Sequence, residues 1–146
     1  MTIRPTRAGW VEPDASTVQR IVRDTRTVAI VGASANPARA SHEVWTYLRS
    51  RSDFELYLIN PTIGEIEGTP VYPGLADLPV VPDLVDVFRR HAYLPSVLDD
   101  TIAVGAKTLW LQSGLWHEQV ARDGVAAGLQ VVMDRCLKVE YARLFA

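Results

Sequence analysis

A run of β-branched and apolar residues, Thr27-Val28-Ala29-Ile30-Val31, stops at Gly32 and gives way to a segment with helical periodicity. The run does not alternate polar with apolar side chains, so both of its faces must be buried. That is how a parallel strand covered by helices reads, because a half-solvated antiparallel strand would alternate. Such a strand can be satisfied only inside a layered α/β domain.

The same pattern recurs down the chain. Phe54 to Ile59, Leu84 to Phe88, Thr108 to Leu111 and Gln130 to Met133 predict four more buried strands. Between them lie amphipathic stretches at Ser16 to Thr25, His42 to Arg51, Leu94 to Ala103, Trp116 to Ala127 and Lys138 to Phe145. Ser16-Thr17-Val18-Gln19 fits a capping box for the first helix, and Gly105 and Gly128 are placed to stop the third and fourth. The expected architecture is α/β: one domain over 16–146 with a five-stranded parallel sheet and helices on both faces, preceded by a loose arm over 1–15. The Gly- and Pro-rich segment Pro61 to Pro82 reads as turns, with a small hairpin at Glu65-Ile66 and Val71-Tyr72.

Right-handed crossovers bring all five strand C-termini to one edge, and ligands of such sheets sit there, where the strand order reverses. Composition narrows the ligand. Lys and Arg number 15 against 17 Asp and Glu, a net charge of −2, so no general basic field exists for a nucleic-acid backbone. One cysteine, Cys136, excludes an intrachain disulfide and a multi-cysteine zinc site, and the three histidines lack metal-binding spacing. No apolar run reaches the length of a membrane helix, and the N-terminus does not read as a signal peptide, so a cytoplasmic location is expected.

Five segments fall at the ligand edge. Gly32-Ala33-Ser34 opens a loop whose N–H groups, with the helix behind them, favour a phosphate. Ser34 and Ser41 add hydroxyls and Arg39 a fixed charge. The second and third glycines of the GxGxxG pattern are replaced by Ser34 and Pro37, and Asn60-Pro61 stands where a dinucleotide site carries an acid, so ordinary NAD or NADP binding is disfavoured. Phe88-Arg89-Arg90 brings two cations, of which Arg89 is favoured to face the ligand because neighbours on a strand point to opposite sides. Gln112 and Gly114 leave the fourth strand at the same edge, with Ser113 placed to cap the helix behind it. Asp86 lies within a strand and reads as a buried partner for some nearby group. Cys136 reads as a small buried apolar residue, and His117 as a poor candidate for a catalytic acid.

Taken in order, Val28 to Ser34 with Asn36-Pro37, Leu58 to Pro61, Ile66 to Gly68, Val71 to Pro73, Asp83 to Arg89, Lys107 to Gln112 with Gly114, and Val132 to Cys136 with Glu140 resemble the small stand-alone CoA-binding proteins. Those are similar to the CoA-binding domain of the succinyl-CoA synthetase alpha subunit. The resemblance spans about Thr17 to Phe145 and implies a Rossmann-like fold with coenzyme A, or an acyl-CoA, across the strand C-termini. It implies phosphate contacts from Gly32, Ala33, Ser34 and Arg39, nucleotide contacts from Asn60 and Pro61, adenosine contacts from Phe88 and Arg89, and pantetheine contacts from Gln112 and Gly114. Thr62 stands where the synthetase domain commonly has a lysine after its Asn-Pro pair. No nucleophile–base pair or metal set can be assembled. The expected role is therefore a carrier, sensor or regulatory module rather than an enzyme. An NAD(P)-dependent redox enzyme or sensor is the alternative, and a mixed disulfide between Cys136 and the CoA thiol a third reading. Four tryptophans leave aromatic surface for a homodimer.

Overall fold

The computed structural model describes residues 10–145. Helix α1 (Ala15–Asp24) leads into β1 (Thr27–Val31), α2 (Ala40–Arg51) and β2 (Glu55–Ile59). A hairpin of β3 (Glu65–Ile66) and β4 (Thr69–Tyr72) follows. Then come β5 (Leu84–Val87), α3 (Leu94–Val104), β6 (Thr108–Leu111), α4 (Glu118–Ala126), β7 (Gln130–Val132) and α5 (Leu137–Phe145). The sheet has seven strands rather than five, in the order β3-β4-β2-β1-β5-β6-β7. Every pairing is parallel except β3 with β4. The two extra strands are the hairpin expected in the Gly/Pro segment, and they extend the sheet because Val71 and Tyr72 pair with the open edge of β2 at Leu58 and Ile59. Pro70 has no N–H for a ladder, and its strand is second from the edge, paired there only with two-residue β3.

The continuous apolar strands are buried on both sides, as a parallel sheet requires. Ile30, Leu84, Trp110 and Val132 face α1, α2 and α5, meeting Val22, Trp45, Leu48 and Leu137. Ala29, Val31, Val85, Val87, Leu109 and Leu111 face the opposite way, onto Leu94, Leu98, Val120 and Ala121 of α3 and α4.

Local signals differ in detail from the sequence expectation. The N-cap of α1 is Asp14, not Ser16: its carboxylate accepts the Thr17 N–H at 2.8 Å, and that bond holds its pKa below the usual range. An anionic cap gains from the helix dipole where a hydroxyl does not. The cap of α4 is His117, whose ring accepts the Val120 N–H, and not Ser113. Gly105 closes α3 in the left-handed conformation, as read. Of the expected loose arm, 1–9 lie outside the described residues. Trp10 is firmly docked: it is buried, its indole N–H donates to the Val131 carbonyl at 3.1 Å, and its ring meets Trp116 edge-on at 5.2 Å.

Candidate functional site

From β1 the chain steps outward through β2 and the hairpin, then crosses back to β5, β6 and β7 on the other side. The order therefore reverses between β1 and β5, where the two exits diverge. An open cleft of about 520 Å³ lies over that point. Gly32, Ala33, Ser34, Arg39, Ser41 and Asn60 line one side of it; Phe88, Arg89 and Gln112 line the other. Ala40, Arg90, Ser113 and Leu115 join them, and none of these was singled out as a contact from the sequence. A smaller cavity of about 180 Å³ adjoins it, sharing Gly32 and Arg89 and walled by Val31, Ile59, Leu75 and Val97. Pro61 belongs to this smaller cavity.

Gly32 adopts φ +92°, and a Cβ there would come within 2.6 Å of the Phe88 carbonyl oxygen. The switch point is thus closed to any larger residue. The amides of Gly32 and Ala33, however, are not free for a phosphate: both donate to the Ile59 carbonyl, at 3.0 and 3.1 Å. They prolong the β1–β2 ladder one step past the strand. The loop then folds on itself, with the Asn36 N–H on Ser34 Oγ and the Ala38 N–H on Asn36 Oδ1. Among the described residues the N–H groups of Ala40 and Ser41, at the start of α2, make no hydrogen bond, and neither do those of Ser34 and Ala35 in the loop before it. The cap position there is Arg39, which supplies no side-chain cap bond. Those of Ala40 and Ser41 lie at the positive end of a 12-residue helix, where an anion is favoured.

Three arginines line the same cleft. Arg39 and Arg90 are exposed and carry no ion pair among the described residues. Arg89 lies over the Tyr93 ring at 4.3 Å, between the cleft and the smaller cavity. The expectation that only Arg89 faces the ligand fails because the chain turns at Arg90 into a 3-10 turn at His91–Tyr93, which ends the alternation of the strand.

Other expected contacts are spent on the protein itself. Asn60 donates through Nδ2 to the Ala33 carbonyl at 2.8 Å, and its Oδ1 accepts from the Thr62 N–H and hydroxyl. It clamps the two loops of the cleft together. Gln112 accepts the Leu137 N–H at 3.0 Å and so holds the first turn of α5. Gly114 does not line the cleft; its N–H donates to Asp134 at 2.7 Å.

One feature escaped the sequence reading and one expectation is corrected. His91 and His117, 26 positions apart by number, stack at 4.6 Å. Burial first, and His91 second, hold the His117 pKa below its ordinary value. Asp86, expected to partner some nearby group, has no hydrogen-bond partner among the described residues: it is fully buried between Ile30 and Trp110, and burial pushes its pKa well up. Cys136 is half-buried immediately before α5, in neither the cleft nor the smaller cavity.

An open, mostly parallel sheet flanked by helices, with a cleft at its switch point, defines a Rossmann-like α/β domain. The chain belongs to the CoA binding domain family, whose pattern matches residues 26–142. It is 32% identical over 130 residues to the uncharacterized protein YneT of Bacillus subtilis, covering 89% of this chain and 96% of that one. The solved structure titled cell-free ID.343 from Thermus thermophilus is similar at 34% identity and a TM-score of 0.84, covering 91% of this chain and all of that one. A more distant relative is ADP-forming acetate–CoA ligase I of Archaeoglobus fulgidus, 23% identical over 122 residues; the match takes in 77% of this chain and 18% of the ligase. Among the described residues no helix is long and apolar enough to cross a membrane.

Proposed function

We propose that this protein binds coenzyme A or a CoA ester across the cleft and performs no reaction on it, acting as a carrier, sensor or regulatory module. The observation that carries the reading is the set of open amides at the start of α2 and in the loop before it, in a cleft that Arg39, Arg89 and Arg90 also line. CoA bears a diphosphate and a further phosphate, and the cleft offers fixed positive charge to match. The smaller cavity beside Gly32, walled by Ile59, Leu75 and Val97 with Ser96 and Asp100 as polar groups, suits the base, and the path past Phe88 and Gln112 suits the pantetheine arm. Charge-assisted hydrogen bonds contribute roughly 1.5–3 kcal/mol each, so three of them approach the ~8 kcal/mol of micromolar affinity.

The lining also supports binding without chemistry. Among the described residues of the cleft there is no aspartate, glutamate, histidine or cysteine, so its serine hydroxyls have no base beside them. The same lining weighs against NAD, because no acid waits at the end of β2 for the ribose hydroxyls and Asn60 is committed to Ala33 and Thr62.

A thermal melt with added nucleotide tests this. CoA at 100 times its Kd should add about 2.7 kcal/mol of stability, while NAD and NADP leave the transition in place. A melt unmoved by millimolar CoA would end the proposal.

A further inference from the structure

The smaller cavity beside Gly32 measures about 180 Å³, below the roughly 300–1,000 Å³ of a site that takes a whole small molecule, so it receives one end of a ligand. Gly32 and Arg89 line both this cavity and the cleft. Ser96, Val97 and Asp100 line the cavity and not the cleft. With Tyr93 they fall at helical spacing, so one stripe of α3 forms this wall.

The polar groups of that stripe are acceptors. The Ser96 hydroxyl donates its proton to the Tyr93 carbonyl at 2.9 Å, which leaves only its lone pairs for a ligand. The Asp100 carboxylate makes no hydrogen bond or ion pair among the described residues. Nothing in α3 accounts for it: no Lys or Arg lies between Leu94 and Val104, and Asp100 stands beyond the first turn, where a carboxylate gains from the helix dipole. Two acceptors beside the apolar walls of Ile59, Leu75 and Val97 fit a flat ring that carries N–H donors on its edge. We propose that Asp100 reads the base, its carboxylate accepting a hydrogen bond from the exocyclic amine of the CoA adenine. The proposal rests on the binding mode above, with the base in this cavity. A carboxylate that acted through charge alone would repel the phosphates of CoA, so its removal would tighten binding; a carboxylate that holds the amine gives the opposite sign.

The test is isothermal titration of the full chain with CoA and with etheno-CoA, whose added ring ties up the adenine amine and removes its N–H donors. CoA should bind about ten-fold tighter than etheno-CoA, the worth of one charge-assisted hydrogen bond. Asp100→Leu, close in volume but without an acceptor, should weaken CoA about ten-fold and bring the two ligands within about three-fold of each other. Asp100→Ala serves the same purpose should Asp100→Leu fail to fold. Asp99→Asn, which removes a neighbouring charge outside the cavity, should leave the preference for CoA intact. If CoA binds and Asp100→Leu leaves it unchanged or tighter, or if the preference for CoA survives in that variant because etheno-CoA is excluded by its bulk, Asp100 does not read the base while the cleft proposal stands. If CoA itself does not bind, both fall together.

Discussion

Gly32 and Phe88 meet backbone to backbone at the switch point: the space for a Cβ at Gly32 is already filled by the Phe88 carbonyl, 2.6 Å away. The contact is reinforced from the other side, where the Phe88 N–H donates to the Val31 carbonyl at 2.8 Å. The exits of β1 and β5 are thereby locked together, and the cleft begins directly above them. Gly32→Ala combines a forbidden φ with an overlap that only backbone movement can relieve. It should cost about 2–4 kcal/mol in urea denaturation and weaken CoA binding by more than ten-fold in titration.

Arg39, Arg89 and Arg90 answer to charge rather than packing. Each replaced singly by Ala should lose about ten-fold in CoA affinity. Chemical denaturation should shift by less than about 0.5 kcal/mol for Arg39 and Arg90, which are exposed. Arg89→Ala also gives up its stack on Tyr93, worth about 0.5–1 kcal/mol more. An affinity that does not fall for any of the three would show that the anion site lies elsewhere.

Asp86 should oppose folding at neutral pH. Its folded pKa is raised by burial above the unfolded value, so the native state holds a proton that the unfolded state releases. Stability is therefore greatest below the unfolded pKa, near 3.9, and declines as pH rises toward the folded value. Asp86→Asn removes the titration. It should be more stable than the parent at pH 7.5 by about 1–3 kcal/mol, with the advantage shrinking at pH 4.5, as read from melts across that range.

His117 titrates with the opposite sense. Its folded pKa is depressed, chiefly by burial and then by His91, so the unfolded chain binds the proton more readily. Stability is complete above the unfolded pKa, near 6.5, and is lost as pH falls through the lower folded value. Protonation also removes the lone pair that caps α4 at Val120. His117→Asn keeps a capping side chain without the charge change, so its melting temperature should vary less between pH 7.5 and 5 than the parent's. His117→Ala should lose about 1 kcal/mol at pH 7.5. A parent and Asn variant with parallel pH profiles would refute this account.

Much of the fold was legible in the chain. Thr27 to Val31 and its four counterparts are strand-like by composition alone, and the helices between them carry their period. Glu65 to Tyr72 was legible as a hairpin but not as part of the sheet. Two residues in β3, and four in β4 with Pro70 among them, are too few to show a period. Their place is set by the open edge of β2, which no local pattern reveals. The site was legible as a set of positions, since nine of the eleven expected contacts line one cleft. Their roles were less so: Asn60, Gln112 and the Gly32 amide turned out to be partners of Ala33, Leu137 and Ile59.

By itself the sequence determined that the strands would be parallel and covered on both faces, because continuous β-branched runs admit no solvated side. It also determined which loops would share the ligand edge, because crossovers between parallel strands have one hand. Only the tertiary structure decided which donors stay open. A hydrogen bond from Gly32 to Ile59, or from Leu137 to Gln112, depends on where two distant segments come to rest. The amides left open at Ser34, Ala35, Ala40 and Ser41 are those that no such partner reaches.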